Sequence, residues 1–166
     1  MKVLVTVASR HGATREMGEV VAEVLRTHGH VVDEVDPEDV EDVAAWDAVV
    51  LGSAVYVGRL AAGLRHLVER EGGRLRSRPV WLFWSGPLAV PDAATDVPDD
   101  VDVVARHAGA RDVRCFAGRV RHGALSLQER ALVALVRAPE GDFRDLDAVR
   151  AWAEEVATGL APVRAR

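Results

Sequence analysis

The 166-residue chain is long enough for one domain with a single buried core, and its hydrophobic fraction of 49% is ordinary for a globular protein. The formal net charge of −5 argues against a nucleic-acid partner, because such partners need a concentrated basic face. The single cysteine, Cys115, excludes an internal disulfide, and no apolar run approaches the roughly 20 residues of a membrane span. Since Met1 is followed by a strand-like run and not by a signal-peptide pattern, we expect a cytoplasmic protein.

The first half of the chain alternates apolar, strand-like runs with amphipathic, helix-like segments. Residues 3–8 form a continuous apolar run typical of a strand that is buried on both faces. Residues 14–27 carry apolar side chains at the spacing of a helix with one buried face. The next predicted elements are a strand at 31–35, a short helical turn at 37–45, a strand at 46–52 and a helix at 60–71.

The second half continues this alternation. Its predicted elements are a strand at 79–84, a loop at 87–98, a helix at 99–107, a strand at 113–120 and a closing helix at 145–160. Because parallel neighbours need crossover connections, the pattern predicts an α/β fold with a parallel sheet and helices on both faces. The five strands fit the order 2-1-3-4-5. Ligands of such sheets bind beyond the carboxyl ends of the strands, so we expect the site at the loops after strands 1, 3 and 4.

The loop after the first strand, residues 9–14, places two hydroxyls and a glycine between a strand and a helix. Ser9 and Thr14 can hydrogen-bond to an anion, and Gly12 allows the backbone to approach it closely. The first turn of a helix also favours negative charge, which makes a phosphate site one interpretation of the loop. The other interpretation is that Thr14 only caps the helix.

Three other phosphate-related folds do not fit this loop. A dinucleotide site needs G-x-G-x-x-G, of which only Gly12 is present. A P-loop needs Gly-Lys followed by Ser or Thr, whereas Lys2 is the only lysine of the chain. A phospho-accepting receiver domain needs acidic side chains where Ser9 and Ser53 stand.

Three stretches of the sequence carry a family resemblance. The stretch "SRHGATREM" resembles the FMN phosphate loop of flavodoxins, T/S-x-T-G-x-T, with Ser9, Gly12 and Thr14 matching and His11 in place of a usual threonine. Together with "VVLGSAVYVGRLAAGLRHLVER" and the tail "APEGDFRDLDAVRAWAEEVA", it is similar to the flavodoxin-like, menaquinone-dependent protoporphyrinogen dehydrogenases. The resemblance spans residues 1–166 and implies one flavodoxin-like three-layer domain that binds FMN.

The resemblance also implies which residues hold the FMN. The phosphate would be bound by Ser9, Arg10, His11, Gly12, Ala13, Thr14 and Arg15. The flavin ring would lie between two further loops, formed by Ser53, Ala54, Val55, Tyr56, Val57 and Gly58 and by Ser85, Gly86 and Pro87. Tyr56, the only tyrosine, is the candidate for stacking on the ring, with packing on the next helix as its alternative. We predict no catalytic side chain and no metal site, and we expect Cys115 to be buried in the fifth strand.

The connection between the fifth strand and the closing helix, residues 121–141, is longer than the usual loop of about 2–6 residues. Ser126 and Glu129 have the spacing of a capping box, and the apolar run 131–136 predicts a helical insert. This insert could pack on the domain as core, or it could form a hydrophobic surface beside the flavin for peripheral contact with the inner membrane face. The cations just before the predicted helix are Arg119, Arg121 and His122, and those within it are Arg130 and Arg137.

Two functions follow from these observations. The first is an FMN-dependent redox protein, either an electron carrier with a redox partner or a dehydrogenase that uses a quinone and a porphyrinogen-like substrate. The second is a flavodoxin fold that has lost its flavin and serves as a binding or structural module. His11 and the few aromatic residues near the expected ring position keep the second alternative open.

Overall fold

The central sheet of the computed structural model is parallel, as the alternation of elements predicts. The structure describes residues 1–86, 97–121, 123, 125–135 and 140–160. Its strands are β1 (Lys2–Ala8), β2 (Val31–Glu34), β3 (Ala48–Tyr56), β4 (Arg59–Leu60), β5 (Val80–Gly86), β6 (Val113–Ala117), β7 (Arg119–Val120) and β8 (Gly141–Asp142). The parallel order is β2-β1-β3-β5-β6, which corresponds to the predicted order 2-1-3-4-5. In addition, β4 pairs antiparallel with β3, and β7 pairs antiparallel with β8.

Helices cover both faces of this sheet and form with it the predicted three-layer sandwich. The helices of the described residues are α1 (Ala13–Thr27), α2 (Ala62–Leu75), α3 (Asp99–Ala108), α4 (Leu127–Leu135) and α5 (Leu146–Leu160), with a short 3₁₀ helix at Val43–Ala45. The helices α1 and α5 pack on one face, and α2 and α3 on the other. Successive side chains of β1 point to opposite faces. Val5 packs in the core under α1 and α5, whereas Leu4 packs in the core under α2 and α3. The apolar run of this strand is continuous because both faces are buried.

Three aromatic rings join α5 to the sheet. Phe83 of β5, Phe116 of β6 and Trp152 of α5 meet edge to face, with ring centroids 5.7 to 6.1 Å apart. Trp152 is buried, and its indole N–H donates to a carboxylate oxygen of Asp112 at 2.7 Å. The closing helix is therefore anchored beside the two strands that complete the sheet.

The structure corrects several boundaries that the sequence predicted. The strand β3 continues to Tyr56, so the expected loop 53–58 begins inside a strand, and α2 starts at Ala62 rather than at residue 60. The predicted strand 113–120 is interrupted at Gly118, whose N–H donates to the carbonyl of Gly86 at 3.0 Å. A side chain at this position would meet that carbonyl oxygen at 2.9 Å, which explains the glycine. The prediction that Cys115 is buried is wrong, because it lies exposed on the edge strand β6.

We expect Trp152→Ala to lower the free energy of unfolding by about 3–5 kcal/mol, because it removes a buried ring with two aromatic neighbours. Trp152→Phe should cost less, since it keeps the ring contacts and loses only the indole hydrogen bond. Urea unfolding of the two variants measures both losses. A loss for Trp152→Ala of about 0.5 kcal/mol or less, as for a surface substitution, would contradict the anchoring of α5.

Candidate functional site

The register of the parallel sheet brings the ends of three strands together. Ala8 of β1 lies opposite Ser53 of β3, and Ala54 lies opposite Ser85 of β5. The predicted phosphate loop and the two predicted ring segments therefore meet at one edge of the sheet. This edge is the carboxyl-end position where open α/β sheets bind their ligands.

The first loop ends in a helix terminus that suits an anion. Gly12 precedes α1 with a φ of +79°, a left-handed conformation that favours glycine. Within the described part of the chain, no side chain caps this end of α1, and a Cβ at Gly12 would meet nothing within 4 Å. The helix therefore begins with N–H groups and a positive dipole end beside an open backbone cradle. These features fit a phosphate group.

Thr14 and Ser85 form one buried hydroxyl pair. Their oxygens are 2.7 Å apart, and the residues are only 2% and 4% exposed. The predicted phosphate ligand and the first residue of the predicted second ring segment are thus in direct contact. One hydrogen bond between two hydroxyls uses one of their two hydrogens, so the pair keeps a donor for a further acceptor.

Tyr56 connects the first loop to the end of β3. The backbone N–H of Arg10 donates to the phenol oxygen at 3.1 Å, so this N–H is already used and is not one of the free donors expected along the loop. The guanidinium of Arg10 lies 5.0 Å from the Tyr56 ring centroid, within the range of a cation–π contact. The His11 ring meets the same tyrosine edge-on, with centroids 6.2 Å apart. Tyr56 therefore packs against the first loop and also lies at the predicted ring position.

The remaining predicted ring residues lie on β3 and on a tight hairpin turn. Ser53 is fully buried in β3, where its hydroxyl donates to the carbonyl of Ala54 and accepts the N–H of Ala61. Val57 and Gly58 form the turn into β4 with φ values of +53° and +71°. For a β-branched residue such as Val57 this conformation costs roughly 1–2 kcal/mol, which the hairpin pairing has to offset.

The other predicted residues are divided between the site and its surroundings. Arg15 is exposed on α1 and pairs with Asp36 at 2.9 Å, on the side of the helix that borders β2. Gly86 is the last residue of β5 and accepts the N–H of Gly118. Pro87 lies outside the described residues.

A cluster of four charged side chains, which we call the Glu16 cluster, joins the β7–β8 strand pair and the residues just after it to the first turn of α1. It consists of Glu16, Arg119, Asp142 and Arg144. The Arg144 side chain is only 8% exposed; it binds Glu16 and lies 2.6 Å from an Asp142 oxygen. Arg119 lies 3.6 Å from Glu16 and donates to the backbone carbonyl of His11 at 3.4 Å. The hydrogen bonds from Arg144 lower the pKa of Glu16, and they lower the pKa of Asp142 to about 2.

The sequence did not point to this cluster. Arg119 was expected only as a cation beside the insert, and the other three members of the cluster were not singled out. Arg144 and Glu16 are 128 positions apart, so no local pattern shows that they meet. The charge at residue 16 in the first turn of α1 was the available signal, because a carboxylate beside an anion site needs cations around it.

The helix α4 lies within the predicted insert and begins directly after Ser126, where the capping pattern expects it. Every described side chain of α4 is exposed, including Leu127 at 82% and Leu135 at 79%. The described side chains of α4 thus lie at the surface. Those of Glu129, Leu132 and Val133, and residues 122, 124 and 136–139, lie outside the described residues. Within the described ranges, no helix is both long and apolar enough to cross a membrane.

Comparisons with known proteins agree with this architecture. The model of the flavodoxin domain family matches residues 4–147. The protoporphyrinogen IX dehydrogenase (quinone) of Escherichia coli (strain K12) is 24% identical over 152 residues, which cover 87% of this chain and 83% of that protein.

Solved structures show the same fold. Oxidised flavodoxin 1 from Bacillus cereus matches with a TM-score of 0.66 at 16% identity, covering 97% of this chain and 100% of the other. A flavodoxin from the domain Archaea matches with a TM-score of 0.63 at 14% identity, covering 96% and 98%.

The Glu16 cluster predicts a pH dependence of stability. Because the pKa of Asp142 is lowered from 3.8 to about 2 in the folded protein, its carboxylate stabilises the fold above pH 3.8, and this contribution is lost as the pH falls toward 2. Asp142→Asn should therefore be less stable than the native chain near neutral pH, and the difference should shrink on acidification. Urea unfolding from neutral to acidic pH measures it.

The matched control for this experiment is the same substitution in an Arg144→Gln background. There Asp142→Asn should have little effect at any pH, because the hydrogen bonds from Arg144 are the largest cause of the shift. A stability difference that stays constant with pH in the native background would contradict the role given to Arg144.

Proposed function

The chain belongs to the flavodoxin domain family, and on that premise we propose that it binds FMN at the carboxyl edge of its sheet and works as a redox protein. The observation that carries this proposal is the convergence of three features at that edge. They are the uncapped start of α1 behind Gly12, the buried hydroxyl pair of Thr14 and Ser85, and Tyr56 at the end of β3.

The first loop would hold the FMN phosphate. The N–H groups of the first α1 turn, the Ser9 hydroxyl and the spare hydroxyl hydrogen of the Thr14–Ser85 pair supply donors. Arg10 adds a positive charge close by while its guanidinium lies over Tyr56. Because Thr14 is buried, its hydroxyl is held in one place and needs little ordering when an anion binds.

The β3–β4 hairpin and the end of β5 would hold the flavin ring. Tyr56 supplies an aromatic face, Val57 and Gly58 supply backbone groups on a tight turn, and Ser85 and Gly86 end the strand beside them. When bound, FMN supplies one-electron and hydride transfer, and the protein contributes position and electrostatics. None of the predicted site residues is assigned proton transfer, which fits a protein that tunes its cofactor.

The matching E. coli protein suggests a finer assignment, the quinone-linked oxidation of protoporphyrinogen IX. We propose that α4 brings the domain to a quinone-containing membrane surface. Leu127 and Leu135 are exposed apolar side chains at the two ends of this helix, and Arg121 and Arg130 are exposed cations near them. Exposed leucines with neighbouring cations are suited to the interface of an anionic bilayer.

The phosphate assignment is tested with the double variant Ser9→Ala/Thr14→Ala. Hydrogen bonds to a charged group contribute roughly 1.5–3 kcal/mol each, so FMN affinity should fall at least about tenfold. The affinity for riboflavin, which lacks the phosphate, should change little. Quenching of flavin fluorescence during titration gives both Kd values.

The control for this experiment is Ser77→Ala, which removes an exposed hydroxyl between α2 and β5 at the opposite end of the sheet. It should bind FMN like the native chain. Equal FMN affinity for the native chain and the double variant would refute the phosphate site. A native chain that takes up no FMN would refute the proposed function and favour the binding-module alternative.

The membrane assignment is tested with Leu127→Ser/Leu135→Ser. Each leucine that enters the lipid interface contributes roughly 1 kcal/mol or more, so partitioning onto anionic vesicles should fall about tenfold while FMN affinity is unchanged. Vesicle sedimentation measures it. The control Val103→Ser removes an apolar side chain that is exposed on α3, and it should not alter partitioning.

The same vesicles, loaded with a menaquinone analogue, serve to test the activity. Anaerobic formation of protoporphyrin from protoporphyrinogen IX should depend on the FMN-loaded protein and should drop in the leucine variant. If partitioning is equal for the leucine variant, the native chain and the control, the membrane role of α4 is wrong. If the FMN-loaded protein forms no porphyrin, the dehydrogenase assignment is wrong.

A further inference from the structure

The peptide between His11 and Gly12 is fixed from outside the phosphate loop. A guanidinium nitrogen of Arg119, on β7, donates to the His11 carbonyl at 3.4 Å. In a trans peptide the C=O and the following N–H point in opposite directions. A carbonyl that points to Arg119 therefore turns the Gly12 N–H away from the β7–β8 strand pair.

This peptide is one that can otherwise rotate. Gly12 is left-handed with a φ of +79°, and a glycine tolerates both orientations of the peptide before it at little steric cost. The loop alone therefore does not determine which way the Gly12 N–H points. A donor on the carbonyl side selects one orientation.

Arg119 is itself held firmly in place. Its side chain is 15% exposed, and it lies opposite Asp142 in the β7–β8 pairing. The N–H of the preceding Gly118 donates to the Gly86 carbonyl at the end of β5. The guanidinium also lies 3.6 Å from Glu16, which Arg144 binds as well. The backbone and the Glu16 cluster thus aim Arg119 at the His11 carbonyl.

The cluster has a second consequence for an anion. Glu16 lies in the first turn of α1, where its carboxylate stabilises the helix dipole but repels a neighbouring phosphate. Arg119 and Arg144 bind this carboxylate and offset its charge. Arg119 therefore acts on the anion site through both a peptide orientation and a charge.

We propose that Arg119 is a positioning residue of the phosphate site, which makes the β7–β8 strand pair part of the cofactor site. It orients the His11–Gly12 peptide so that its N–H faces the anion, and it shields the anion from Glu16. The identity of the anion as the FMN phosphate rests on the proposed function. The orientation of the peptide does not rest on it.

The test compares Arg119→Gln with Arg119→Lys and with a matched control. The control, Arg150→Gln, removes another arginine that pairs with a glutamate of α1, in this case Glu23 at 3.6 Å, farther along the helix. Two measurements are made on each full-length variant. One is the Kd for FMN and for riboflavin, and the other is amide hydrogen exchange of residues 9–14 without ligand.

In Arg119→Gln we expect FMN affinity to fall about tenfold with riboflavin affinity unchanged. The reason is that the Gly12 N–H and the shielded charge of Glu16 act on the phosphate, which riboflavin lacks. Exchange in residues 9–14 should become roughly tenfold faster, while exchange in the central strands stays the same. Arg119→Lys should recover part of both effects, because it keeps a charged donor. Arg150→Gln should match the native chain.

Several results would overturn the proposal. Unchanged exchange in residues 9–14 of Arg119→Gln would show that the peptide is not held by Arg119. Equal losses for FMN and riboflavin, or faster exchange throughout the sheet, would reduce Arg119 to a purely structural role. If the native chain binds no FMN, the proposed function fails, and the exchange measurement still decides whether Arg119 positions the loop.

Discussion

The parallel pairing of β1, β3 and β5 is the constraint on which the candidate site depends. Its register sets Ala8 against Ser53, and Ala54 against Ser85, so that three segments distant in sequence leave the sheet at one edge. A shift of one residue in any of these strands would exchange the faces on which its side chains lie. The continuous apolar runs of the strands and the two cores that they fill hold this register in place.

Side-chain contacts then tie the segments at that edge to one another. The hydroxyl pair of Thr14 and Ser85 joins α1 to β5, and Tyr56 joins β3 to the first loop through Arg10. A third contact, from Arg119 to the carbonyl of His11, joins the β7–β8 strand pair to the first loop. The strained turn at Val57 persists within this frame, and strain of that kind is common at binding sites. The candidate site is thus organised by side-chain contacts among the segments that form it.

Local patterns predicted most of the fold. The apolar run of β1 and the helical spacing of α1 follow from burial on two faces and on one face, and the alternation of elements predicted a parallel sheet whose five strands fit the observed order. The break at Gly118 was missed because it depends on a close contact with Gly86, in a distant part of the chain. The two-residue strand β4 was missed because two residues are too few to show the alternation of a strand, although their partners in β3 are near in sequence. Cys115 was misjudged because a central position in a strand does not reveal that the strand is at the sheet edge.

The same limit applies to the site. An anion site at Ser9, Gly12 and Thr14 could be predicted because a strand, a glycine and a helix start follow one another directly. The contacts of Thr14 with Ser85 and of Arg119 with His11 span 71 and 108 positions, and no spacing rule connects such residues. The strands β7 and β8, which carry Arg119 and Asp142, lie at the two ends of what the sequence showed only as a long connection.

Binding of FMN by the native chain is the central claim, and native mass spectrometry tests it most directly. The protein is measured as purified and again after incubation with excess FMN followed by removal of the free flavin. We expect a mass that corresponds to one FMN per chain, and the same sample should show a flavin absorption spectrum. After the same treatment with riboflavin we expect no comparable complex. A colourless protein whose mass stays that of the bare chain after incubation with FMN would contradict the claim.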